Sequence, residues 1–118
     1  MKRIIYNLVA TAIVVFVLMM GPKIQPNVAA TPKTALQLYS RYCVSCHGQN
    51  GRSQTSKGKF NHARDLTDAK WQDDVTDERI FNSIMNGRNV RGNMPAFSDK
   101  LNEKEVDSLV SFVRKFKG

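Results

Sequence analysis

Cys43-Val44-Ser45-Cys46-His47 places two thiols three residues apart and an imidazole directly after the second. Residues at i and i+3 share one face of a helical turn. Two such sulfurs can each form a thioether to one vinyl group of a haem, and the adjoining imidazole then reaches the iron from one side. The spacing is that of a covalent haem-attachment site. A dithiol redox pair at Cys43 and Cys46 would be expected in a βαβ setting, yet no segment alternates apolar and polar residues as strands do. A structural zinc site needs four ligands. The chain holds only two cysteines and two histidines, and His47 adjoins Cys46.

Working outward, the 118 residues leave room for one small domain, since the first thirty have a different character. Lys2 and Arg3 precede an apolar run from Ile4 to Met20, broken by Tyr6, Asn7 and Thr11. A basic start, an apolar run and small residues form the layout of a secretory signal. Val28-Ala29-Ala30 offers a peptidase site, with cleavage after Ala30. The apolar run is long for a signal and close to the lower limit for a spanning helix. Residues 1–30 are therefore read as a signal peptide or an N-terminal membrane anchor, with membrane contact only through residues 4–20 if uncleaved. Pro22, Pro26 and Pro32 make the following stretch extended, and 31–33 is read as a linker to a domain over 34–118. Either fate places the domain in the periplasm or on the outer face of the cytoplasmic membrane.

A domain this short commonly needs a staple. Cysteines so close in sequence close too small a loop for a disulfide to serve, and a bound cofactor can fill the role. From Thr31 onward the chain carries 15 basic and 10 acidic residues. Nucleic-acid binding is disfavoured, because the basic residues are scattered among acids and no recognised motif accompanies them. A basic face that docks an acidic redox partner fits the balance better.

The helical signals are local and physical. Thr34 and Gln37 can form a capping box, opening a helix with Ala35, Leu38, Tyr39 and Tyr42 on one face. Gly48 to Phe60 is polar and glycine-containing, and reads as a loop. A short helical turn is weakly signalled around Asp68 to Trp71. Asp77 and Glu78 begin a helix with an Ile80, Phe81, Ile84 and Met85 face, stopped by Gly87. Asn102 and Glu105 cap a last helix with Val106, Leu109, Val110, Val113 and Phe116 in a stripe. Arg114, Lys115 and Lys117 complement its dipole. The expected fold class is all-α: a small domain of three to four helices wrapped around one covalently bound haem.

An electron-carrying haem needs a second axial ligand, and methionine opposite histidine raises the potential. Met94 lies in the irregular segment Gly92-Asn93-Met94-Pro95-Ala96-Phe97, where Pro95 stiffens the chain. Met85 shares a helix face with Ile84 and Phe81 and is read as core, and His62 as a solvated loop residue. The expected metal ligands are thus His47, proximal, and Met94, distal.

Together these pieces resemble a class I mono-haem cytochrome c over nearly all of residues 34 to 118. The resemblance rests on Leu38-Tyr39, Cys43 to Gly48, Ile84-Met85-Asn86-Gly87, Met94-Pro95-Ala96-Phe97 and Leu109 to Arg114. It implies that the first and last helices cross, with Tyr39 near Leu109 and Phe112, and that one haem edge faces solvent. It also implies contacts to the haem propionates, for which Arg64 and Trp71 are the candidates. In many members a proline after the motif offers its carbonyl to the proximal imidazole. Here no proline occurs between Gly48 and Asn93, so a carbonyl near Phe60 to Ala63 is expected to replace it.

The function expected is one-electron shuttling by haem c between periplasmic or membrane redox partners, with no enzymatic step of its own. The alternative is a haem-bearing subunit or tethered domain of a larger oxidase or dehydrogenase. A peroxidase-like or gas-binding haem protein would need an open iron site, against which Met94 argues.

Overall fold

The computed structural model describes residues 33–118. The leader over 1–30 and the first two linker residues lie outside the described residues. Six helices follow in order: α1 (Ala35–Tyr42), α2 (Val44–His47), α3 (Ser56–Phe60), α4 (Ala69–Asp74), α5 (Asp77–Asn86) and α6 (Glu103–Arg114). No strand occurs among the described residues; the sole ladder element is an isolated antiparallel bridge between Arg88 and Met94. The all-α expectation holds.

Every helix except α2, which continues directly from α1 through Cys43, starts where a side chain can satisfy an orphan backbone N–H. Thr34 and Gln37 form the capping box of α1, with the Thr34 hydroxyl accepting from Gln37 and the Gln37 side chain accepting from Thr34. Asn102 and Glu105 do the same for α6. Thr55, Asp68 and Thr76 cap α3, α4 and α5. Gly87, at φ 72, ends α5 as expected. One expectation fails: residues 48 to 60 are not all loop, because Thr55 nucleates the single turn of α3.

Helices α1 and α6 pack against each other, as do α5 and α6. Leu38, Tyr39, Val106 and Leu109 are almost wholly removed from water, each contributing about 1.5–3 kcal/mol if fully buried. The Tyr39 ring lies 5.1 Å from that of Phe112 and 5.2 Å from that of Phe116. Its hydroxyl donates to the Gly48 carbonyl at 2.8 Å, tying the helix crossing to the end of α2.

A polar clamp locks the C-terminal end of α6 as well. Arg114 donates to the Gln72 carbonyl and side-chain oxygen, to the Val75 carbonyl, and to Asp77. Gln72, itself buried, donates to the carbonyls of Leu66 and Val113. Arg114 thus does more than complement a dipole. It satisfies carbonyls at the end of α4 and holds the start of α5.

Candidate haem site

Helices and the loops after α3 and α5 line an open cavity of about 920 Å³. Leu66, Ile80, Ile84, Phe97, Leu109 and Val113 form apolar wall, and all six belong to the buried core. Cys43, Cys46, His47, Arg64, Trp71 and Met94 also line it, so folding brings every residue singled out in the sequence to one space. His62 lines it too, whereas Met85 packs against the core, as its helix face implied.

Cys43 is the junction of α1 and α2. Its N–H donates to Tyr39, and its carbonyl accepts from Cys46 and His47. That single turn presents both thiols to the cavity. Burial, with a smaller effect from neighbouring Cys46, pushes the Cys43 thiol up to about 12. A reactive dithiol centre needs a depressed value, the opposite of the direction at Cys43. No group of three His, Cys, Asp or Glu side chains among the described residues is placed to hold a metal ion.

His47 is oriented from behind. Its Nδ1 lies 3.0 Å from the Arg64 carbonyl and 3.1 Å from the Ser53 hydroxyl. A carbonyl can only accept, so Nδ1 carries the proton and Nε2 keeps its lone pair free for a metal. Burial lowers the pKa of His47, partly countered by the bond to Arg64, which favours the neutral ring a ligand requires. The acceptor is Arg64, one residue beyond the expected Phe60 to Ala63. The bonds Ala63 N–H to Gly58 and Leu66 N–H to Gly51 hold that segment on either side. The Arg64 side chain runs the other way and stands 6.0 Å from the Trp71 ring.

Met94 belongs to a loop held at several points. Arg88 and Met94 exchange backbone hydrogen bonds of 2.8 and 2.7 Å. Asn93 donates to the Asn61 carbonyl, Phe97 to Ile84 and Ser98 to Met85. The loop is thereby fastened both to the segment after α3 and to the end of α5.

These features fit a large apolar prosthetic group. Two thiols stand on one turn, an imidazole keeps a free lone pair, a thioether lies on a fixed loop, and the walls are apolar. Sequence reasoning missed Ser53, for which a lone loop serine gives no signal.

A family described as cytochrome c oxidase, cbb3-type, subunit III matches residues 30–113. The chain belongs to that family of c-type cytochromes. It is 29% identical over 93 residues to the cbb3-type cytochrome c oxidase subunit FixP of Azorhizobium caulinodans, covering 79% of this chain and 30% of that protein. It is 32% identical over 79 residues to cytochrome c6 of Bryopsis maxima, covering 66% of this chain and 83% of the relative. The solved structure of the KustC0563 c-type cytochrome is 36% identical, with a TM-score of 0.65, and aligns with 73% of this chain and all of its own. The chain spans 30% of the length of the cbb3-type subunit it matches. The fold is that of a small class I cytochrome c, and the cofactor is covalent haem c.

Proposed function

We propose that this protein is a one-electron carrier, not an enzyme, with Cys43 and Cys46 as the thioether attachments and His47 and Met94 as axial ligands. The observation that carries the reading is the convergence of these four residues on one apolar cavity. When bound, the haem supplies a reversible one-electron couple at its iron. His47 offers Nε2, held by Arg64 and Ser53 at its other nitrogen. Met94 offers a sulfur from a fastened loop, and the apolar wall excludes water. With both axial positions filled, substrate chemistry at the metal is disfavoured. Arg64 and Trp71, neighbours at the cavity, are the residues we assign to the propionates.

The partners we propose are redox proteins with an acidic docking face. Arg41, Lys57, Arg79, Arg88 and Arg91 all line the cavity, and none is ion-paired among the described residues. The single acid on the lining, Asp74, is paired with Lys70. Exposed Phe60 and Val90 lie on the two segments joined by the Asn93–Asn61 bond, giving this rim an apolar component. We place the domain, residues 34–118, in the periplasm or on the outer face of the cytoplasmic membrane, behind the leader over 1–30. No described helix is long and apolar enough to cross a membrane.

A second reading is favoured by the partial coverage of the cbb3-type subunit: the same haem chemistry serving as a fixed relay within a larger oxidase or dehydrogenase. Carbon monoxide added to the reduced holoprotein tests the common core. Both readings expect no rapid binding; prompt stoichiometric binding would establish an open iron and overturn them.

A further inference from the structure

Ser53 has two unusual features for a loop serine. It is buried, and it sits at φ 56, in the left-handed region that non-glycine residues seldom occupy. Strain of this kind persists only when the surroundings enforce it, and it tends to gather at functional sites. The backbone N–H of Ser53 donates to the His47 carbonyl at 2.9 Å, which fixes the residue beside the imidazole. Its hydroxyl then does two things at once. It donates to the Arg64 carbonyl at 2.5 Å, and its oxygen lies 3.1 Å from His47 Nδ1. His47 Nδ1 is itself 3.0 Å from the same carbonyl.

The three groups therefore close a triangle that holds two hydrogens, that of the Ser53 hydroxyl and that of His47 Nδ1. The Nδ1–H of His47 is shared between the Arg64 carbonyl and the Ser53 oxygen. The carbonyl it reaches is already occupied by a shorter hydroxyl bond. An oxygen that accepts a strong hydrogen bond is a weaker base toward a second donor, and a divided bond polarises its donor less than an undivided one. Hydrogen bonding behind a ligating histidine sets the basicity of the ring toward its metal, and it is one of the levers on haem potential.

We propose that Ser53 is a positioning residue that raises the reduction potential, by weakening the pull of the Arg64 carbonyl on the Nδ1 proton of His47. The inference rests on His47 being the proximal ligand. With Ser53 in place, the imidazole carries less negative charge and donates less to iron, so the reduced state is favoured. Without the hydroxyl, the Nδ1–H bond falls wholly to Arg64 and the oxidised state gains.

The test uses the mature holoprotein with Ser53→Gly and Ser53→Ala. Glycine adopts the local φ without strain, so it keeps the comparison open if the alanine variant folds poorly. Two quantities are read: the equilibrium reduction potential, and the His47 Nδ1–H proton resonance in the reduced state. Both variants are expected to show a lower potential and a downfield Nδ1–H resonance. An unchanged potential and resonance in Ser53→Gly overturns the proposal, as does a rise in potential, which would make the hydroxyl the principal acceptor. A parent protein lacking a haem-shifted His47 resonance would instead remove His47 as the ligand, and the Ser53 role with it.

Discussion

Gly58 lies against Cys46 so closely that a Cβ on the glycine would sit 2.1 Å from the Cys46 carbonyl oxygen. The obstacle is backbone, so no side-chain rotation relieves it. Thr55 reinforces the contact by donating to the carbonyls of Ser45 and Cys46 and accepting from Gly58 N–H. Helix α3 is the support on which the proposed haem-attachment turn rests. Gly58→Ala is expected to lose about 1–3 kcal/mol, the usual range for forcing atoms into a filled space. Chemical denaturation of the holoprotein measures it, and an unchanged midpoint would show that the two turns can separate freely.

Gly87 presents a second backbone constraint, this time beneath the Met94 loop. Its φ is 72, and a Cβ there would stand 2.6 Å from the Met94 carbonyl oxygen. Gly87→Ala should weaken the sulfur-to-iron charge-transfer band of the oxidised protein as well as its stability. The left-handed backbone position and the close approach both work against alanine. Retention of the full band would mean that the loop adapts without moving the sulfur.

Replacing Met94 itself gives the sharper spectroscopic outcome. Met94→Ala should abolish the charge-transfer band and lower the potential, since methionine opposite histidine raises it. Met85→Ala should keep the band and lose about 2–5 kcal/mol or less, as Met85 is only partly buried against the core. Survival of the band in the Met94 variant would assign the sixth position elsewhere, with His62 on the cavity lining as the next residue to test.

Arg114 should prove the most costly of the exposed-looking cations to remove. Its guanidinium serves Gln72, Val75 and Asp77 together. Arg114→Ala is expected to destabilise by about 2 kcal/mol, in the range for hydrogen bonds to a charged donor. Arg114→Lys should recover little, because an ammonium cannot reproduce the planar fork. Lys115→Ala, an exposed position, supplies the comparison and should lie within about 0.5 kcal/mol of the parent.

Charge at the cavity rim yields a kinetic expectation. Oxidation of the reduced protein by anionic hexacyanoferrate(III) should slow as salt is added, and oxidation by a cationic cobalt complex should quicken. Arg91→Glu should weaken the salt dependence more than Lys115→Glu, although both change the net charge equally, because Arg91 lines the cavity and Lys115 does not. Equal effects would mean that only the total charge matters.

The parts of this fold carried by short-range chemistry were readable from the chain. Thr34 with Gln37, and Asn102 with Glu105, announced helix starts because a cap acts within four residues. The Cys43 to His47 turn and Met94 stood out because their spacing or neighbours are specific, and the fold brings them to one cavity. Helix α3 was hidden by its polar, glycine-containing sequence, since it is held by Thr55 and by contact with α2 rather than by an apolar face. The acceptor for His47, Arg64, could be placed from the sequence only as a carbonyl near Phe60 to Ala63. A backbone carbonyl has no side-chain signature, and its direction here follows from a chain path that includes His62 at φ 50. Gln72 and Arg114 meet across 42 positions, which no local pattern encodes.

The bond from Asn93 to Asn61 joins the segment after α3, whose Arg64 carbonyl restrains His47, to the loop that carries Met94. Both proposed axial donors therefore hang from one connected frame. Iron that gains or loses an electron changes its preferred bond lengths slightly, and a frame of this kind resists following. With His47 and Met94 as ligands, such a frame would keep the nuclear reorganisation energy low, so that electron exchange would need little thermal activation and its rate would be governed by distance and docking.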